Sequence, residues 1–233
     1  MTNTIRSVGQ LIDEILAEHL LKSRGQWVFR GQADKRWPML PTVGRAKPKG
    51  GPWSIDERKV FDIFCREAQG FSHTFPHNTW DQLALAQHHG LPTRLLDFTH
   101  NPLIALYFAV ENSLEDDATF YALKAPDKID ISDSALTPFD ITTMGKLYPN
   151  IVSDRIKAQE GLFIVCPPPH QTSQENLPST WKIERFTIAH QDKAKIRYQL
   201  FRLGVHASSI FPDVDGLAKR ITWQHTVDGN QVL

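Results

Sequence analysis

Residues Pro102 to Val110 read PLIALYFAV, an unbroken apolar run with no charged side chain. Asn101-Pro102 opens it, with Asn as a helix N-cap and Pro at the first helical position. The segment is predicted to be a helix from Pro102 to about Glu111. A helix that is apolar on nearly every side offers water no face and is buried. It is also far too short to cross a bilayer, which takes about 20 apolar residues. The segment is therefore expected at the centre of a water-soluble domain.

The rest of the composition agrees with a globular chain. Its 233 residues are 41% hydrophobic and 22% charged. That balance excludes a disordered or collagen-like protein, and the length allows one large domain or two small ones. The 26 basic and 26 acidic residues cancel. Neutrality argues against wrapping duplex DNA by bulk electrostatics, but leaves a local basic groove open. Cys65 and Cys166 are the two cysteines and form no CxxC pair, so reduced thiols are expected rather than a thiolate zinc site. The stretch MTNTIRSVGQ has no apolar run after Arg6, so no targeting peptide and a cytoplasmic location are expected. No membrane contact is expected. Six Trp and ten His in one chain suggest a defined core or an aromatic-lined cleft.

Local patterns predict the remaining elements. Val8, Leu11, Ile12, Ile15, Leu16 and Leu20 have helical spacing, so a helix should run from Ser7 to Leu21. Trp27 to Arg30 reads as a strand running into Gly31. Residues 33–51, rich in Pro, Gly and basic residues, read as a loop. Ser54 with Glu57, and Thr79 with Gln82, have the form of capping boxes that open two further helices. The second of these should end at His89, with Gly90 past its end. Leu91 to Thr99 reads as extended. Strands are expected at Ala118–Lys124, Leu162–Cys166 and Lys182–Ala189. A helix should follow from Asp192 to Leu203, then a turn at Ser209–Pro212 and a closing helix to Gln224. Helices precede strands without β-α alternation. This predicts an α+β fold: a single domain with N-terminal helices packed on a mixed or split β-sheet.

Four stretches are dense in groups that bind or react. In Phe29-Arg30-Gly31-Gln32 a strand ends in an arginine, whose fork matches phosphate oxygens, and a glycine, which lets a ligand approach the backbone. The alternative is a solvated strand end. The run Gln87 to Pro102 holds His88, His89, Thr93, Arg94, Asp97, Phe98, Thr99, His100 and Asn101 between two buried helices. Polar groups there must pair or face a cleft. Metal binding is disfavoured, because adjacent His side chains point apart on a helix and no further ligands stand at suitable spacing. An internal Arg94–Asp97 ion pair is the alternative. In the stretch Arg155 to Val165 the polar Gln159-Glu160-Gly161 precedes an apolar strand, where side chains enter a cleft or simply form a turn. Phe211 to Leu217 could bind or merely start a helix at Asp213.

Together these stretches resemble the FRG domain family. Phe29-Arg30-Gly31-Gln32 is similar to its naming motif, Gln87 to Ala109 to its longest signature, and Phe211 to Gly216 to its C-terminal signature. The resemblance implies an N-terminal helix at 1–24, an FRG domain at 25–225 and a tail at 226–233. The motif order also resembles the R-S-E class of ADP-ribosyltransferases. Arg30-Gly31 fits the first element, and Asp97-Phe98-Thr99 with Asn101-Pro102 fits the second. Gln159-Glu160 before Leu162 to Pro168 fits the third. Two departures stand out: Thr99 alone keeps a hydroxyl, and Gln159 stands where a glutamate is usual.

This second resemblance implies an ADP-ribosyltransferase-like fold with NAD as substrate. It implies Arg30, Gly31, Gln32, His88, Thr93, Arg94, Phe98 and Asn101 in NAD binding. It implies Glu160, Gln159, Thr99 and Asp97 in catalysis, stabilising cationic ribose or activating the acceptor. The expected activity is ADP-ribosyl transfer to RNA, DNA or protein, in a toxin or phage-defence effector with an antitoxin partner. NAD glycohydrolysis and a non-catalytic binding module are the alternatives. Lys35, Arg36, Arg45, Lys47 and Lys49 offer a local phosphate-binding surface or a solvated loop.

Overall fold

The computed structural model describes residues 4–15, 26–45, 56–71, 75–112, 115–132, 136–150, 153–167 and 177–226. The first half contains helix α1 (Val8–Ile15), strand β1 (Trp27–Gln32), α2 (Thr42–Arg45), α3 (Glu57–Ala68), α4 (Thr79–His88), β2 (Leu95–Thr99) and α5 (Pro102–Val110). The second half contains β3 (Ala118–Lys124), β4 (Gly145–Leu147), α6 (Asp154–Ala158), β5 (Gly161–Val165), β6 (Lys182–Ile188), α7 (His190–Arg202), α8 (Ala207–Ile210) and α9 (Val214–Gln224). The α+β expectation holds. Among the described residues no helix is long and apolar enough to cross a membrane.

The strands form a six-stranded open sheet in the order β4-β5-β2-β1-β3-β6. Among the described residues every pairing between strands is antiparallel, so of the expected mixed or split sheet the mixed form is not the one found. Parallel contacts occur only as the isolated bridges Thr4–Thr187 and Lys128–Lys146 among the described residues. The sheet is tight within each half and loose between them. β1 pairs with β3 from Trp27–Lys124 to Gln32–Thr119. β2 pairs with β5 from Leu95–Val165 to Thr99–Gly161. β1 and β2 meet only at the registered pair Phe29–Thr99.

Period-2 alternation sorts the core onto two faces. Trp27, Phe29, Phe120, Ala122, Phe186 and Ile188 pack against α5, together with α1, α7 and α8. Leu95, Phe163 and Val165 carry α3 and α4 through Phe61, Trp80 and Leu83. Val28, Leu96, Phe98, Tyr121, Leu162 and Ile164 face the other way, under Met39, Met144 and Trp181. Helix α5 sits at the centre as its composition requires, with Ala105, Leu106, Ala109 and Val110 fully excluded from water. Its start is the expected one: Asn101 accepts from the Leu103 amide at 3.0 Å, and Pro102 occupies the first turn.

Other helix starts differ from the sequence reading. Asp56 caps α3 by accepting from the Lys59 amide, and Ser54 lies outside the described residues. Asn78, not Thr79, caps α4. In both cases the short acceptor nearest the first turn takes the cap. Gly90 has φ +86 past the end of α4 and Gly204 has φ +83 past α7, as expected. The predicted turn at Ser209 is part of the helix α8, which His206 caps. The 33–51 loop contains the short helix α2, and β4 and α6 have no counterpart in the sequence reading. The expected continuation of α1 to Leu21 lies outside the described residues.

Candidate functional site

A cleft of about 470 Å³ opens where β1 and β2 part. Arg30, Gly31 and Gln32 line it from β1, Asp97, Phe98 and Thr99 from β2, and Gly161 and Leu162 from β5. Arg30 lies at the parting. Its Nη1 donates to the main-chain carbonyl of Asp97 at 2.7 Å, in the span where the strands no longer pair. The same nitrogen is 4.0 Å from the Asp97 carboxylate. The Arg30 side chain is 15% exposed and that of Asp97 is 64% exposed. Burial lowers the pKa of Arg30, Asp97 opposes this, and Arg45 adds to it. An arginine keeps its charge through such a shift. The result is a cation set deep in a low-dielectric cleft, with its Nε buried and without a hydrogen-bond partner.

Further charges ring the opening. Arg45 and Arg155 line the cleft, as do His88, Asp97 and Glu111. Arg45 is tied to Thr42 Oγ1 at 3.2 Å, and Arg155 lies 4.6 Å from the Phe211 ring centroid. Glu111 accepts from the Tyr107 hydroxyl at 3.2 Å. Burial, then His89 and Arg155, holds the His88 pKa below the ordinary imidazole value. Gln87 Nε2 donates to the Asp97 carboxylate at 3.2 Å. Three arginines against two carboxylates leave the lining with an excess of positive charge, which favours an anion over a cation.

Several residues expected in the site have other roles. Gly31 lines the cleft, yet its close backbone contact is with α5. A Cβ there would lie 2.0 Å from the Ala105 carbonyl and 2.6 Å from the Ala109 nitrogen. The Thr99 hydroxyl is engaged twice: it donates to the Gln159 carbonyl at 2.7 Å and accepts from the Asn101 amide at 2.9 Å. It pins the end of β2 to the start of β5. Gln159 lines the cleft, with its side chain near the Ile210 carbonyl at 3.4 Å. Glu160 does not line it. Its φ of 46 turns the chain, and its carboxylate accepts from Asn101 Nδ2 at 2.9 Å. Asn101 is spent on that contact and on the α5 cap.

Thr93 and Arg94 are structural. Thr93 is fully buried and bonds Gln87 Oε1 at 2.5 Å. Arg94 forms a buried ion pair with Glu57, not with Asp97. Its Nη2 and Nε each lie 2.8 Å from Glu57 Oε2, and its amide donates to Oε1 at 2.7 Å. The Pro138 carbonyl takes Nη1 at 2.9 Å, and the Phe139 ring lies 5.0 Å away. Burial of this pair explains why Glu57 starts a helix without serving a cap.

Among the described residues of the basic loop, Lys35 and Arg36 are neutralised. Lys35 pairs with Asp117 at 2.7 Å, and Arg36 pairs with Asp34 and Asp116 at 2.6 and 2.8 Å. Arg45 turns into the cleft, and Lys47 and Lys49 lie outside the described residues. Arg45, expected only as part of a phosphate-binding loop surface, lines the cleft itself. Glu111 and Trp37, which also line the cleft, fall outside the candidate stretches, whereas Gln87 and Arg155 open two of them.

The model of the FRG domain family matches residues 25–118, a span that includes β1, β2, α4 and α5 around the cleft. No curated protein and no solved structure gives a significant match to the chain.

Proposed function

We propose, from the match of residues 25–118 to the FRG domain family, that the chain is an NAD-dependent ADP-ribosyltransferase-like enzyme acting on a macromolecule, nucleic acid or protein. The observation that carries this reading is Arg30 at the parting of β1 and β2, beside the Asp97 carboxylate and within a cleft that Arg45 and Arg155 also line. The cleft volume lies in the range of small-molecule sites. Its arginines suit a diphosphate, which accepts paired N–H donors.

In the reaction proposed, the bond between the nicotinamide nitrogen and ribose C1′ breaks and its electron pair leaves with nicotinamide. Positive charge then builds on the ribose. Asp97 supplies the negative charge to stabilise it, in place of Glu160. An acceptor nucleophile forms the new bond to C1′ and gives up its proton, which this reading assigns to the Asp97 carboxylate. Thr99 and Gln159 shape the site through the bond that the Thr99 hydroxyl donates to the Gln159 carbonyl. A toxin or phage-defence role, with an antitoxin partner, belongs to the same proposal.

The test uses labelled NAD with total RNA and lysate protein. Label on a macromolecule that disappears in Asp97→Asn supports the reading. Nicotinamide release without transfer would replace it by glycohydrolysis. One observation favours a non-catalytic module as the second reading: the Thr99 hydroxyl is fully engaged and Glu160 lies off the cleft. Saturable NAD binding with no nicotinamide release would establish that alternative.

A further inference from the structure

Trp37 lines the cleft and is 47% exposed, whereas Trp27, Trp80 and Trp181 are 7%, 2% and 5% exposed. A large indole held in water at a cleft forgoes the burial that normally stabilises it. Its position is nevertheless built. The Trp37 amide donates to the Asp34 carbonyl at 3.2 Å. The Asp34 carboxylate in turn accepts from the Arg36 amide at 2.8 Å and from Arg36 Nη2 at 2.6 Å. Asp34 itself is 5% exposed. The turn is thus clamped from inside and presents the indole to the cleft. Arg45 and Arg30 line the same cleft.

An exposed aromatic face beside cations is the pairing that holds a nucleotide: the base stacks and the phosphate meets the charges. We propose that Trp37 is the stacking platform for the aromatic base of a nucleotide whose phosphate lies toward Arg45 and Arg30. This rests on the reading of the cleft as a dinucleotide site and names the part of the ligand held at this rim. Within NAD that base is either adenine or the nicotinamide ring, and the two share the flat π-face that stacking requires.

The test is calorimetric titration of the full chain with AMP, nicotinamide mononucleotide and ribose 5-phosphate, on the wild type, Trp37→Phe and Trp37→Ala. Far-UV circular dichroism checks each variant for folding. Trp37→Ala should weaken at least one base-bearing nucleotide by about tenfold, the range set by base–aromatic stacking. Ribose 5-phosphate should be unchanged, and Trp37→Phe should recover most of the loss. Loss for AMP alone identifies adenine, and loss for nicotinamide mononucleotide alone identifies the nicotinamide ring. Equal loss for all three ligands, no loss for either nucleotide, or no nucleotide binding at all overturns the proposal. None of these readouts needs turnover. A protein that stacks AMP on Trp37 but never releases nicotinamide would refute only the enzymatic reading.

Discussion

Arg30 Nη1 donates to the Asp97 main-chain carbonyl at 2.7 Å while lying 4.0 Å from the same residue's carboxylate. One guanidinium thus bridges a gap in the sheet and supplies one of the three arginine charges of the cleft. Beyond Phe29–Thr99 the β1–β2 ladder stops, and a side chain supplies the donor that a strand would have supplied. Arg30→Lys keeps the charge but loses the fork. It should weaken NAD binding by about tenfold or more, since a bidentate site is not satisfied by a point charge. Titration calorimetry reads this, and wild-type affinity in Arg30→Lys would refute the assignment.

Asp97 and Glu160 separate the two candidate acids. Asp97→Asn should lower NAD turnover by about a hundredfold, the scale of losing one electrostatic stabiliser. Glu160→Gln should leave turnover within about threefold, because that carboxylate faces Asn101 rather than the cleft. Nicotinamide release, followed by chromatography, distinguishes them, and the reverse ranking would return the role to Glu160.

Glu57 is a stability residue despite its charge. Glu57→Ala leaves Arg94 buried at 9% exposure without its partner. The expected cost is about 3–5 kcal/mol, typical of a broken buried pair. Urea unfolding should show a large fall in midpoint. A loss below about 1 kcal/mol would mean that water reaches the guanidinium.

Gly31 is required by packing. In Gly31→Ala the new methyl meets the Ala105 carbonyl, so β1 and α5 must separate. Destabilisation of at least about 2 kcal/mol is expected from overpacking. Thermal unfolding tests it, and an unchanged Tm would show that ligand approach, not the helix, selects glycine here.

The pH dependence follows from three histidines. Burial holds the pKa values of His88, His100 and His206 below the ordinary imidazole value. As pH falls below about 6.5, the unfolded chain binds protons that the folded chain resists, so stability declines. The carboxylates Asp34, Asp130 and Asp140 are held low, chiefly by side-chain hydrogen bonds. Their contributions are lost only at lower pH, below about 4. Urea midpoints between pH 7.5 and 5 should fall, and replacing the three histidines with Gln should flatten that slope. A flat wild-type profile would contradict the shifts.

Much of this arrangement was legible from local rules. The apolar run Pro102–Val110 carries its own cap, its own first-turn proline and no polar face, so its burial follows from composition alone. Gly90 and Gly204, strand β1 and the α+β class were readable for the same reason: each depends on neighbours within a few residues. Arg30 and Asp97 could be singled out as chemistry, but not as partners, because 67 residues separate them.

What local pattern could not decide was which polar groups the fold would use up. Thr99 and Glu160 look reactive in sequence, yet one hydroxyl is bonded at both ends and one carboxylate is turned onto Asn101. Glu57 looks like half of a capping box and instead neutralises Arg94 across the core. Arg155 is far in the chain from Arg45 and Trp37, and all three line one cleft. The sequence by itself determined which segments must be buried, since apolar spacing is a property of the chain. Only the tertiary structure decided which charges remain for a ligand, since each buried polar group takes the nearest partner in space.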